Sequence, residues 1–466
     1  MRRLRRSDLA DSRWGGPWAA LAALLALAAA LRLVGIRYGL PHTLLNPDER
    51  NIVPRAWAMT HGAGADPDWF DYPTLVMYVL APFQTWHDEP SYLTARLVMV
   101  GLALACVAAA WWLGLKAYGM AAGFVAAAAT AVATTHVAYS RMAVTDIPLT
   151  LGVTVALALM VMGRIELAGI AVGLATSAKY PGLLLLAPLV AVAWGRWRRL
   201  AIAGGLAVLA FALTSPFVIL RLGDAAGDAL RVQRAAREGW LGFEDDHAAP
   251  ITFATRLWDA MGPALLVGVA GLVLALVFRT QADRALAAFS LVYFAQLLTV
   301  DAHFDRYVLP LVPALGALAG RLRSLAPVTA LLLVIPLTWS IRDARELRKP
   351  DARVAAHDWI EANLPPGATL AVDPSLPELD GFRLVHLRLP RPGEPYDANR
   401  NVARLRSTGV DYVVLTGAVE DRVLAAADHY PRESAFVRDA RRDARRVYRV
   451  APNSRFGGHW VEVYRL

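Results

Sequence analysis

PWAALAALLALAAALRLVGI, residues 17–36, is an apolar run closely followed by Asn46-Pro47-Asp48-Glu49. About 20 mostly apolar residues cross a bilayer as a helix, so the run reads as a first membrane span. Its far end delivers two adjacent acids to the lipid boundary. The arrangement recurs along the chain. Candidate spans fall near 17–36, 95–115, 120–138, 147–163, 166–178, 181–195, 200–219, 259–278, 285–300, 307–320 and 324–340. Asp146 opens the fourth, Lys179 separates the fifth from the sixth, and His303-Phe304-Asp305-Arg306-Tyr307 separates the ninth from the tenth. Threaded alternately through a membrane, all of these ionisable residues emerge on one face.

Composition agrees with many spans. Of the 466 residues, 56% are hydrophobic, and mean hydropathy is +0.38; soluble domains rarely exceed about half apolar. The net charge of +9 does not call for a nucleic-acid partner, because the basic excess is topological. Arg2, Arg3, Arg5, Arg6 and Arg13 precede the first span. Arg164, then Arg196, Arg198 and Arg199, then Arg279 and Arg284, then Arg321 and Arg323 follow at alternate turns. That alternation places the N-terminus in the cytoplasm and the acids outside. The first run is long and no small-x-small site is followed by a soluble domain, so it reads as a retained span. Cys106, the only cysteine, lies inside a span, excluding an intrachain disulfide. Lysine occurs only at 116, 179 and 349 beside abundant arginine and alanine, the bias of a GC-rich bacterial genome.

The expected fold is a polytopic α-helical membrane protein of about eleven spans with a C-terminal extracytoplasmic α/β domain. Residues 1–341 form the transmembrane part, with outer loops at 37–94 and 220–256. The first loop is rich in aromatics, which suit the headgroup layer and suggest helices along the membrane surface. Residues 342–466 lack an 18-residue apolar run and read as the soluble domain. A helix is expected over Ala352 to Asn363, closed by Pro365-Pro366-Gly367. A second is expected over Val402–Ser407, with strands at Thr369–Val372, Leu384–Leu389, Asp411–Leu415, Arg446–Val450 and Trp460–Tyr464.

Each candidate for chemistry has a plain structural counterpart. Asn46 caps a helix, Pro47 fits its first position and acids favour its first turn; yet two carboxylates at a lipid boundary also suit a general base or a metal ligand. Asp146, at the hydrocarbon edge, persists either for function or for a fixed ion pair, with Arg141 five residues earlier as the candidate partner. Lys179 is either a snorkelling lysine or a cation aimed at a phosphate. The 303–307 stretch is either a solvated hairpin or a phosphate site in which Arg306 offers a fixed fork. His42, His61 and His247 lie in outer loops without metal-ligand spacing.

Taken together, Pro47-Asp48-Glu49, Tyr72-Pro73-Thr74-Leu75, Ser140-Arg141 with Asp146-Ile147-Pro148, Ala178-Lys179-Tyr180 and Arg306-Tyr307-x-Leu309-Pro310-x-x-Pro313 resemble the GT-C class of membrane glycosyltransferases. The likeness is to the branch of protein O-mannosyltransferases and the lipid A aminoarabinose transferase. Asn363-Leu364-Pro365-Pro366-Gly367 and Val410-Asp411-Tyr412-Val413-Val414 resemble the outer domain of that class. Thr74 departs from the pattern, where relatives often carry a second proline. The resemblance implies a sugar donor joined to a polyprenyl phosphate and transfer with inversion to an acceptor hydroxyl on lipid, glycan or protein. It implies Asp48 as general base, Glu49 orienting the acceptor, and Asp146 supporting the pocket. Lys179 and Arg306, with Tyr307 and Arg141, would hold the donor phosphate, and Tyr72, His303 and Asp305 are further pocket candidates. No cofactor is implied with certainty; a divalent metal is possible. The setting is a bacterial cytoplasmic membrane with the site outside. The rival reading is a transporter or flippase of envelope glycolipids, for which inverted repeats and broken midplane helices are the signature. Neither is apparent in the sequence.

Overall fold

The structure is a computed structural model that describes residues 15–466. Arg2, Arg3, Arg5, Arg6 and Arg13 lie outside the described residues. All eleven apolar stretches are helical, but four helices are long and apolar enough to cross a membrane: Gly16–Leu33, Tyr92–Tyr118, Trp197–Thr214 and Arg323–Glu346. The pair Ala249–Met261 and Ala264–Phe278, bent by 117°, makes a fifth if counted as one span. Helix length and composition therefore do not bear out about eleven spans. The reason lies in the breaks. Gly119 with φ 100° ends one helix and begins the next, Met120–Val132, whose 13 residues reach only about 20 Å. Lys179 and Trp194 likewise bound short pieces, the turn Tyr180–Leu185 and the helix Leu186–Ala193.

Burial separates inner from outer helices. Of the apolar window in Tyr92–Tyr118, 56% is buried, against 11% in Trp197–Thr214. The second leaves Val208, Leu209 and Leu213 exposed, a surface that suits lipid and not water. Small residues set the close approaches, as expected where lipid gives apolar side chains no reason to prefer protein. Helix Ile165–Ala178 packs Gly169 and Gly173 onto the backbone of Trp197–Thr214, where an added Cβ would strike the carbonyl oxygens of Ala203 and Ala207. Caps mark the ends. Ser91 accepts the Thr94 N–H, and Thr280 and Asp283 form a capping box at the start of Gln281–Leu297.

Two helices occupy the loop 37–94, Asp48–Thr60 and Leu75–Gln84. Beyond Glu346 come helix Ala352–Asn363 and five strands: β1 Thr369–Val372, β2 Arg383–His386, β3 Tyr412–Thr416, β4 Arg445–Val450 and β5 Val461–Arg465. They order as β2-β1-β3-β5-β4, with β2, β1 and β3 parallel and β5 antiparallel to both β3 and β4. β1 and β3 alternate their side chains between two apolar clusters, Leu370 and Val414 on one face, Ala371 and Val413 on the other. The sheet is not isolated from the loops 37–94 and 220–256. Leu241 shares an apolar cluster with Val419, Val423 and Tyr430, and Tyr430 donates to Glu244 at 2.7 Å. Tyr38 donates to Asp351 at 2.8 Å, and Arg353 to the Leu44 carbonyl at 3.1 Å. These bonds seat the sheet over the end of the bundle that carries Asp48.

Candidate active site

Helix Asp48–Thr60 starts where it does because Asn46 Oδ1 accepts the Asp48 N–H at 2.9 Å and Pro47, at φ −66°, continues into the helix. That start aims consecutive carboxylates in different directions. Glu49 is fully buried. Arg96 grips it with Nε at 2.8 Å and Nη2 at 2.7 Å, and the Ala143 N–H donates to it at 3.0 Å. Arg96 also donates to the carbonyls of Ile36 and Tyr38, both at 2.9 Å. With every strong group satisfied and no solvent contact, Glu49 and Arg96 pin helix Asp48–Thr60, helix Tyr92–Tyr118, the stretch around Ile36 and Tyr38, and the turn before Asp146 together. Glu49 offers nothing to an acceptor. This corrects the sequence-based expectation that Glu49 orients the acceptor.

Asp48 faces the other way and stays partly exposed. Tyr72 donates to its Oδ2 at 3.0 Å and Arg306 Nη1 donates to the same oxygen at 2.7 Å. Both bonds fall on Oδ2, leaving Oδ1 able to accept a proton. Burial and the neighbouring Asp48 charge hold the Tyr72 phenol well above the usual tyrosine range, so it remains a donor. Asp146, first residue of helix Asp146–Val161, receives Lys179 Nζ at 2.6 Å on Oδ1. Lys179 is placed by the end of helix Ile165–Ala178, where its extended backbone breaks the helix. Its ammonium lies 5.5 Å from the Tyr72 ring and 5.3 Å from the Tyr307 ring, so the two charge pairs share one aromatic-walled cluster. Two polar atoms here are buried without a partner, Asp146 Oδ2 and Arg306 Nε. Buried polar groups are nearly always bonded, so an unpaired acceptor and an unpaired donor in one cluster mark a place for a ligand.

Asp48, Tyr72, Asp146, Lys179, Arg306 and Tyr307 thus come together. The other sequence candidates do not join them. Arg141 is buried elsewhere and donates to the Leu31 carbonyl; the partner of Asp146 is Lys179, not Arg141. Asp305 accepts from Tyr139 at 2.6 Å, and His303 is bonded to Asp246 at 3.1 Å between Phe243 and Phe253. Those bonds hold the 303–308 turn and so aim Arg306. Two residues escaped the sequence reading. Arg96 was legible in principle, since an arginine inside an apolar helix demands a partner. Tyr139 carried no signal apart from its place before Ser140-Arg141. Among the described residues, no three His, Cys, Asp or Glu side chains gather as a metal site.

Residues 69–300 match the profile of glycosyltransferase family 87. The chain is similar to glycosyltransferases of the GT-C class in this match and in fold. Its fold is that of ArnT from Cupriavidus metallidurans, solved bound to undecaprenyl phosphate, with 16% identity, a TM-score of 0.57 and coverage of 97% of this chain and 98% of that one. It is also similar to the archaeal oligosaccharyltransferase AglB from Archaeoglobus fulgidus, solved with an inhibitory peptide and a dolichol-phosphate. There the identity is 13%, the TM-score 0.62, and the coverage 95% of this chain and 74% of that one. At such identities the likeness is one of fold. No curated protein matches the chain by sequence. The GT-C class read from the sequence motifs is borne out.

Proposed function

We propose that this GT-C glycosyltransferase moves a sugar from a polyprenyl-phosphate donor to an acceptor hydroxyl of a lipid, glycan or protein, with inversion, at the outer face of a bacterial cytoplasmic membrane. The observation that carries the reading is the shared cluster of Asp48 with Arg306 and Asp146 with Lys179. The donor lipid would lie against the exposed apolar helices. Arg306 and Lys179 would meet its phosphate, whose negative charge grows as the bond to the anomeric carbon breaks; fixed cations in a water-poor cleft stabilise that charge better than water does. Asp48 Oδ1 would take the proton as the acceptor oxygen forms the new bond on the opposite face of the sugar. One displacement inverts the anomeric carbon and releases polyprenyl phosphate. Glu49 serves as a strut. A divalent ion would take the unbonded oxygens Asp48 Oδ1 and Asp146 Oδ2, beside the two side-chain cations. Residues 1–341 form the catalytic membrane part, and residues 342–466 the outer domain that helps to receive the acceptor.

The test incubates purified protein with polyprenyl phosphate carrying a labelled sugar, and follows release of polyprenyl phosphate. Release that is lost in Asp48→Asn while the variant inserts and elutes normally supports transfer. Movement of the intact glycolipid across a proteoliposome membrane, with no cleavage, would instead establish the flippase.

A further inference from the structure

The bundle carries a second charged cavity, at the end away from Asp48. It encloses about 430 Å³ and is lined by Lys116, Tyr118, Gln281, Asp283, Arg321 and Arg323 among others. Three helices fix its position. Tyr92–Tyr118, Asp146–Val161 and Leu311–Arg321 each begin near the cluster around Asp48 and end at this cavity. At 1.5 Å per residue, helices of 11, 16 and 27 residues separate the two sites by roughly 17–40 Å, a range that brackets a hydrocarbon thickness of ~30 Å. The cavity therefore lies at the opposite end of the bundle.

Its charges are unequal. Asp283 is spoken for: Arg321 donates to it at 2.8 and 3.1 Å, and Tyr118 at 2.7 Å. Burial opposes its ionisation, but the bonds from Arg321, Tyr118 and Thr280 prevail and hold its pKa at about 2, so it stays an anion matched by Arg321. Lys116 and Arg323 form no ion pair among the described residues. Two cations thus face a cavity whose one carboxylate is already neutralised. Met120, Met162, Val277 and Phe278, each within three residues of a lining residue, are exposed, and Arg321 lies 4.9 Å from the Phe278 ring.

We infer that this cavity binds the phosphate headgroup of an anionic phospholipid, with Lys116 and Arg323 on the phosphate and the acyl chains along Val277 and Phe278. A basic pocket between helix ends at a membrane surface recognises such headgroups. A free phosphate shares the polar chemistry, but these exposed apolar residues favour the lipid. The site is independent of the sugar-transfer reading, because none of its residues belongs to the Asp48 cluster.

The test uses full-length protein in detergent and native mass spectrometry. Cardiolipin, phosphatidylglycerol, phosphatidylcholine and glycerol phosphate are added separately at matched concentration. Cardiolipin and phosphatidylglycerol are expected to be retained over phosphatidylcholine, and the double variant Lys116→Gln with Arg323→Gln to lose that preference by about five-fold per cation. Unaltered phosphatidylcholine binding and a normal elution volume check that the variant folds. Equal retention of phosphatidylglycerol and phosphatidylcholine by the unaltered protein, a preference untouched by the double variant, or displacement of phosphatidylglycerol by glycerol phosphate at equal concentration would each overturn the proposal.

Discussion

Asp48 and Glu49 are neighbours in the chain but belong to regions built on opposite rules. Around Glu49, Arg96 supplies a two-pronged bond, the Ala143 N–H takes a remaining lone pair, and no solvent reaches the pair. Around Asp48 and Asp146 the pairing is incomplete: Asp48 Oδ1 lacks a bond, and Asp146 Oδ2 and Arg306 Nε are buried without partners. A closed ion pair can only hold structure. An open one retains the valence to bind and to react, and leaving that valence unmet destabilises the unliganded protein.

The contrast can be broken most directly by paired substitutions. Asp48→Asn should lower transfer by about 10²–10⁴-fold, the usual contribution of general acid–base catalysis, and leave thermal stability near that of the unaltered protein. Unfolding of that variant would mean that Asp48 is a strut too. Glu49→Ala should do the reverse. Stranding Arg96 in an apolar bundle is expected to cost on the order of 3–5 kcal/mol, read as a fall in melting temperature or loss of detergent-extracted monomer. Arg306→Ala should come next. Loss of one preorganised charge beside the departing phosphate is worth about 10²-fold in turnover, with Arg306→Lys restoring part of it. An unchanged rate with polyprenyl-phosphate donor would remove Arg306 from the site. Tyr72→Phe deletes one hydrogen bond to a carboxylate and should reduce transfer by roughly ten-fold or somewhat more, since such bonds contribute about 1.5–3 kcal/mol.

A further buried pair, Arg400–Glu420, in which Arg400 Nη2 is left without a partner, extends the comparison to the sheet region. Both side chains are fully buried, with Nη1 2.9 Å from the carboxylate. Burial pushes the Glu420 carboxyl up to about 7 against the pull of Arg400. A raised folded-state pKa makes folding favour the protonated acid. Its stabilising contribution is whole below about 4.5, and it is lost as pH rises through about 7. Hydrogen exchange in helix Gly417–Ala425, corrected for intrinsic rates, should therefore rise between pH 5 and 8. Glu420→Gln should flatten that profile, and the same slope in both proteins would refute the assignment.

Much of this was legible from residues alone. The eleven apolar stretches are all helical, and the strand positions around 369–372, 384–389, 411–415, 446–450 and 460–464 lie within a few residues of β1 to β5. Local periodicity and turn residues suffice for such elements. Span number was not legible, because hydropathy cannot tell an apolar helix buried in a bundle from one that crosses lipid. Arg141 was misassigned for a related reason: proximity along the chain says little about which way a side chain points at a helix end.

Amino-acid order by itself determined the membrane setting, the helical segments and the gathering of ionisable residues at one end, since these follow from hydrophobicity and alternation along the chain. Only the tertiary structure decided that Glu49 belongs to Arg96, that Lys179 belongs to Asp146, and that Arg306 reaches back to Asp48 across more than half the chain. Ion pairs form between groups close in space, and in a helical bundle that closeness is set by packing between distant segments, which no local pattern encodes.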